Sequence, residues 1–162
     1  MTATETKSVR EMFAADHDRL DSLFAEFQKL KRVDYAKAKE NFKQFKFGLQ
    51  RHIIWEEQVL FPAFESRTGM RDTGPTAVMR AEHRQIGERL EAIHDKVRGA
   101  DPDSDREEQA LLQLLSAHNQ KEEMVLYPML DRMLSPSELA AAFQTMEQIP
   151  ETAYATCCGK HA

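Results

Sequence analysis

One stretch occurs twice in this chain, and its spacing constrains the fold more than any other feature. His52-Ile-Ile-Trp-Glu56 runs on into Glu57-Gln-Val-Leu-Phe-Pro62. His118-Asn-Gln-Lys-Glu122 runs on into Glu123-Met-Val-Leu-Tyr-Pro128, every matched position lying 66 residues later. The same offset pairs His17 with His83, each 35 residues ahead of the His in its own copy. Only six of the 162 residues are His, and four of them obey the repeat, as do Glu56 and Glu122. A chain that repeats itself this way folds as two similar halves related by an approximate twofold axis.

The apolar residues around these positions recur at helical spacing. Val9, Phe13, Leu20, Phe24 and Phe27 predict a first helix from about Ser8 to Lys31, with His17 in its stripe. Asp34 is placed to cap a second helix that runs to about Glu65 and carries Phe42, Phe45, Leu49, His52, Ile53, Glu56, Val59 and Leu60. Pro62 lies inside that run and is expected to kink or end it. Residues 66–75 read as a loop. A third helix runs from Pro75 through Val78, Met79, His83, Ile86, Leu90, Ile93 and Val97 to Gly99. The fourth, about Arg106 to Met133, carries Leu111, Leu114, Leu115, His118, Glu122, Val125 and Leu126. Ser135-Pro-Ser-Glu138 has the form of a capping box opening a short helix to about Gln148. The expected fold is all-α: an antiparallel up-down four-helix bundle with a short C-terminal helix, over residues 1–148. Residues 149–162 are read as a flexible tail that holds Cys157, Cys158 and His161.

Residues i and i+4 of a helix share a face, so each His-x-x-x-Glu pair can serve one metal from one helix. His17 and His52 both lie on the order of 22–26 Å from the turn between their helices, at roughly 1.5 Å per residue. They are therefore level in the bundle, and His83 and His118 repeat the relation. His17, His52, Glu56, His83, His118 and Glu122 converge on one layer. Four imidazoles and two carboxylates exceed what one zinc takes. With twofold symmetry they suit two metals, each with two His, bridged by the two Glu and by an oxo, hydroxo or water ligand. Nitrogen and oxygen donors of this kind suit iron, and manganese or zinc less well.

Other residues carry less. Glu57 and Glu123 follow the ligands by one, about 100° around the helix, and read as surface charge. Tyr127 stands where the first copy has Phe61, and packing is the simpler reading beside a redox or proton role. Asp21, four after His17, reads as a solvated helix residue. A net charge of −5 argues against nucleic acid as a partner. No apolar run approaches the length of a membrane span, and the N-terminus lacks the apolar core of a signal peptide, so the expected compartment is the cytoplasm.

The set His17, His52-x-x-x-Glu56, His83 and His118-x-x-x-Glu122 resembles the hemerythrin-like, or HHE cation-binding, domain over roughly residues 8–133. The resemblance implies a four-helix bundle around a non-haem di-iron centre. It also implies a small partner ligand such as oxygen, nitric oxide or peroxide. Oxygen-carrying hemerythrins have a fifth His four residues after the third, and an Asp in the last motif. Gly87 and Glu122 occupy those positions here, which speaks against reversible oxygen carriage. The ligand pattern is more similar to the di-iron domain of bacterial iron–sulfur cluster repair proteins. Those also have a cysteine-containing N-terminal segment, for which no counterpart is expected in this chain. Two classes of function follow: a binding module for a small ligand or iron, or a di-iron enzyme acting on peroxide or nitric oxide. A dizinc or dimanganese hydrolase is the outside alternative.

Overall fold

A computed structural model describes residues 7–155, and the described chain is helical with no strand. The long helices are α1 (Val9–Leu30), α2 (Tyr35–Trp55), α4 (Pro75–Arg98) and α5 (Asp105–Lys121). Shorter segments follow α2 and α5: α3 (Phe61–Thr68) and α6 (Tyr127–Met133). Helix α7 (Pro136–Gln148) comes last, and then a 3₁₀ turn, Glu151–Ala155. None of the described helices is long and apolar enough to cross a membrane.

Helices α1, α2 and α7 start at side-chain caps, whereas Gly74 and Ser104 precede α4 and α5 without a capping bond from their side chains. Ser8 and Asp34 accept hydrogen bonds from the third backbone N–H of α1 and α2, and Ser135 forms the full capping box with Glu138. The start of α1 is also held from a distance: Asp131 of α6 accepts from the N–H of Val9 at 2.7 Å and of Arg10 at 3.1 Å. A carboxylate there suits the positive end of the helix dipole.

Contacts between helices show their directions. Phe13 faces His52, Phe24 faces Phe45 and Phe27 faces Phe42, so α1 and α2 run in opposite directions. Gly48 lets them approach closely, since a Cβ there would sit 2.7 Å from Leu20 Cδ2. His83 meets His118 across α4 and α5. Phe42 stacks near His94, and Gln28 bonds Glu108, which joins the two hairpins. The packed interior falls into two apolar clusters. One holds Phe24, Phe27, Phe42, Phe45, Leu90 and Leu111; the other holds Phe13, Phe61, Phe64, Leu126, Leu130 and Met146. The His and Glu layer lies between them: along α1 the order is Phe13, His17, Leu20.

Three expectations need correction. Pro62 does not end its helix. The run from Tyr35 to Thr68 is unbroken, because one π-helical turn, Glu56–Leu60, precedes Phe61. A second, Glu122–Leu126, precedes Tyr127 at the matched position, so Pro128 is accommodated in the same way. A wider turn ahead of proline accommodates the missing N–H and the ring without breaking the helix. The extra residue also shifts the phase of the stripe. Leu126 is buried but Val125, expected inside, is half exposed, as is Val78 early in α4. Lastly, the start of the tail is docked. Tyr154 is buried and accepts a hydrogen bond from Trp55 Nε1 at 2.7 Å. Cys157, Cys158 and His161 lie outside the described residues.

Candidate metal centre

All six expected donors are buried in one layer. Oxygen and nitrogen atoms of Glu56, His83, His118 and Glu122 lie within 4.8 Å of one another, as do those of His17, His52 and Glu122. The two groups share Glu122. Glu56 Oε1 lies 3.5 Å from His52 Nε2 on its own helix and 3.3 Å from His83 Nε2 across the bundle. Glu122 Oε1 lies 3.2 Å from His118 Nε2 and 3.4 Å from His17 Nε2. Each glutamate thus faces one imidazole from each half of the chain.

The π turns give each half a second reach. Glu57, one residue after Glu56, bonds the outer face of the same imidazole, its Oε2 3.1 Å from His83 Nδ1. Glu123 does the same to His17, at 3.1 Å from Nδ1. These two glutamates are therefore not plain surface charge: the wide turn aims consecutive side chains at opposite edges of one ring. The other two imidazoles have carboxylates as well. Asp16 Oδ2 is 2.9 Å from His52 Nδ1, and Glu82 Oε1 is 3.0 Å from His118 Nδ1. Asp16 and Glu82 went unnoticed in the sequence, although they too stand 66 residues apart, each just ahead of His17 or His83. Every imidazole can donate Nδ1–H outward to a carboxylate and present Nε2 inward. That outer bond fixes the ring and raises its basicity, as around many metal-binding histidines.

The side chains of the layer by themselves are short of positive charge. Burial pushes Glu56 up to about 7, and the neighbouring Glu122 adds repulsion. Burial would also raise Glu122, but hydrogen bonds with Glu56, His118 and His17 hold it well below the ordinary range. Burial would lower His17, yet hydrogen bonding and attraction to Glu122, with Glu56 and Glu123, raise it to about 9. His83 likewise rises against burial to about 10 beside Glu56 and Glu57. Protons on these rings offset the carboxylates where no other cation does. Even so, Glu56 Oε1, Glu122 Oε2 and His83 Nε2 are buried with no hydrogen-bond partner. Such orphans are costly in a core. The two carboxylate oxygens point into the layer with free lone pairs, and the imidazoles present Nε2 there once their protons leave, so the donor set fits divalent or trivalent cations.

Tyr127 was read as packing, and its ring is fully buried, but its hydroxyl reaches the middle of the layer. It donates toward Glu56 Oε2 at 2.8 Å or Glu122 Oε1 at 3.0 Å. Burial and those two carboxylates raise its pKa well above 10. Phe61, its counterpart, lies nearly parallel to the His83 ring at 5.5 Å. Gly87 is buried on α4, one turn past His83. Its counterpart Asp21 is exposed and lines a groove of about 510 Å³ between α1 and α5 that reaches His17.

No solved structure matches the chain. Among curated proteins it is similar to the iron-sulfur cluster repair protein YtfE of Edwardsiella ictaluri, 34% identical over 82 residues. That alignment covers 47% of this chain and 37% of the relative. Its counterparts from Yersinia pseudotuberculosis and Escherichia coli O157:H7 are 37% and 39% identical over 54 residues, 33% of this chain and 24% of theirs. The chain thus matches little more than a third of these relatives' length at most. The model of the hemerythrin HHE cation-binding domain matches residues 8–130, a span that holds all six inward donors and all four outer carboxylates. The chain belongs to the hemerythrin HHE cation-binding domain family.

Proposed function

We propose that His17, His52, Glu56, His83, His118 and Glu122 hold two irons, and that this centre binds or reacts with a small ligand: oxygen, nitric oxide or peroxide. The observation that carries the reading is the pair of donor groups sharing Glu122, with carboxylate oxygens of Glu56 and Glu122 that have no hydrogen-bond partner. The name of the relatives, iron-sulfur cluster repair protein, supports a place in stress response or iron handling. A di-iron pair supplies electrons and open positions for such ligands.

The residues of the chain do the rest. Asp16, Glu57, Glu82 and Glu123 hold the rings so that Nε2 faces inward. Phe13 and Phe61 seal one side of the layer, and Leu20 and Ile86 the other, which keeps bulk water out. Small solutes approach along the groove at His17. Gly87 can supply no fifth imidazole, so reversible oxygen carriage is not the expected role.

A second reading, an enzyme that reduces peroxide or converts nitric oxide, is favoured by one observation. Tyr127 places its hydroxyl oxygen at the centre of the layer, beside both glutamates, where a ligand undergoing reduction would be held. Anaerobic loading with ferrous iron tests the common ground: elemental analysis should give two irons per chain, and one or none removes the dinuclear reading. Adding oxygen, nitric oxide or peroxide to the loaded protein should change its optical spectrum. Turnover of one of them marks the enzyme; stable binding marks the module.

A further inference from the structure

The two halves of the centre are not equal, and Tyr127 makes the difference. The group around His83 contains four donors, Glu56, His83, His118 and Glu122, whereas the group around His17 contains three, His17, His52 and Glu122. The poorer half is the one the phenol faces. Tyr127 Oη lies 3.2 Å from His52 Nε2 and 3.4 Å from His17 Nε2, the inward atoms of that half. Both contacts are buried. In the richer half the equivalent position is Phe61, whose ring lies flat along His83 and presents no heteroatom.

Resting on the di-iron reading, we infer that Tyr127 is a seventh protein donor to the centre, its oxygen ligating the metal of the His17 and His52 half alone. As the metal–oxygen bond forms the O–H bond breaks, and the proton passes to solvent. No electron is transferred in that step. That half then has a phenolate donor that the other lacks, whereas Glu56 and Glu122 each face an imidazole of both halves. A single oxygen, present in Tyr127 and absent in Phe61, thus breaks the twofold symmetry that the repeat imposes. The two metals are chemically distinct, and a bound small ligand meets one end of the pair differently from the other.

Ferric-loaded protein is the test, read by metal content, visible absorption and resonance Raman scattering. The wild type should contain two irons, absorb in the visible by phenolate-to-iron charge transfer and show tyrosinate ring modes under that band. Tyr127→Phe should keep both irons and lose the band and the modes together. Tyr35→Phe should keep them. Tyr35 opens α2, and Tyr154, the third tyrosine, is bonded to Trp55 and Ile149 instead. A wild type with two irons and no tyrosinate modes overturns the inference, whether or not the variant folds. So does a Tyr127→Phe protein that keeps the modes. Fewer than two irons in the wild type overturns the di-iron reading, and this inference with it.

Discussion

Two charged clusters are buried in the bundle, one between α1 and α5 and one among all four long helices, and they are built on opposite terms. At the turn end, the Lys31 side chain is 2% exposed and donates to Glu108 Oε2 at 2.6 Å and to Asp105. Ser104 Oγ donates to the same Glu108 oxygen at 2.5 Å, and Gln28 Nε2 bonds the other at 3.1 Å. This cluster contains its own cation, and every carboxylate oxygen of Glu108 has a partner. In the His layer no lysine or arginine reaches Glu56 or Glu122 in any described ion pair. Their positive partners are imidazoles that hold protons, and three inward atoms have no hydrogen bond at all. Buried charge alone therefore does not mark a metal centre. What marks one is a cluster whose charge closes only when a cation is added from outside.

Substitution at the two clusters should give opposite outcomes. Glu122 belongs to both donor groups, so Glu122→Ala should reduce the iron content from two to one or fewer, the largest effect expected. His83→Ala, in one group only, should leave about one. Lys31→Met should leave two irons in place but strand Glu108 in the core, at a cost of about 3–5 kcal/mol in chemical unfolding. If Lys31→Met lowers the iron content as much as Glu122→Ala does, the clusters are coupled and the contrast fails.

The outer carboxylates sharpen the contrast by degree. Glu57→Gln or Glu123→Gln keeps the size and removes the charge behind His83 or His17. Each should weaken iron binding by about 10–100-fold, measured by competition with a chelator. Asp18→Asn, on the groove but bonded to no ligand, should leave affinity unchanged.

Acidity separates the metal-free and loaded forms. In the metal-free protein the folded values of His17 and His83, about 9 and 10, stand above the ordinary 6.5. A group raised on folding contributes stability that is complete below its unfolded value and lost as pH rises through the folded one. Glu56, raised from 4.5 to about 7, acts in the same direction. The metal-free protein should therefore melt progressively lower from about pH 4.5, where Glu56 begins to contribute, to pH 10. Iron displaces those protons, so the gap in melting temperature between loaded and metal-free protein should widen over that range. A constant gap would show that the imidazoles are not the groups displaced.

The smallest effect on iron is expected from the docked segment after α7, none of whose described residues belongs to either donor group. Truncation after Gln148 removes Tyr154 and its bond from Trp55, and should cost about 1–3 kcal/mol in unfolding while leaving iron content at two. Loss of iron would give the segment beyond Gln148 a part in the centre.

Much of this molecule follows from the sequence without its coordinates. Helical spacing placed every long helix, since burial of one stripe demands apolar residues at that period. A rare residue repeated at one offset brought the six inward donors to one level, because rise per residue is fixed and the two turns are matched. Glu57 and Glu123 were misread because an ideal α-helix was assumed. A π turn changes the phase by one residue, and no residue pattern there states that it will form beyond the proline that follows. Asp16 and Glu82 obey the same offset, yet their role rests on which edge of a neighbouring ring they meet, and ring orientation is set by packing between helices. Tyr127 needed the third dimension most. Its hydroxyl sits among four donors on three segments of the chain, and only their joint packing brings that one oxygen to the middle of the layer.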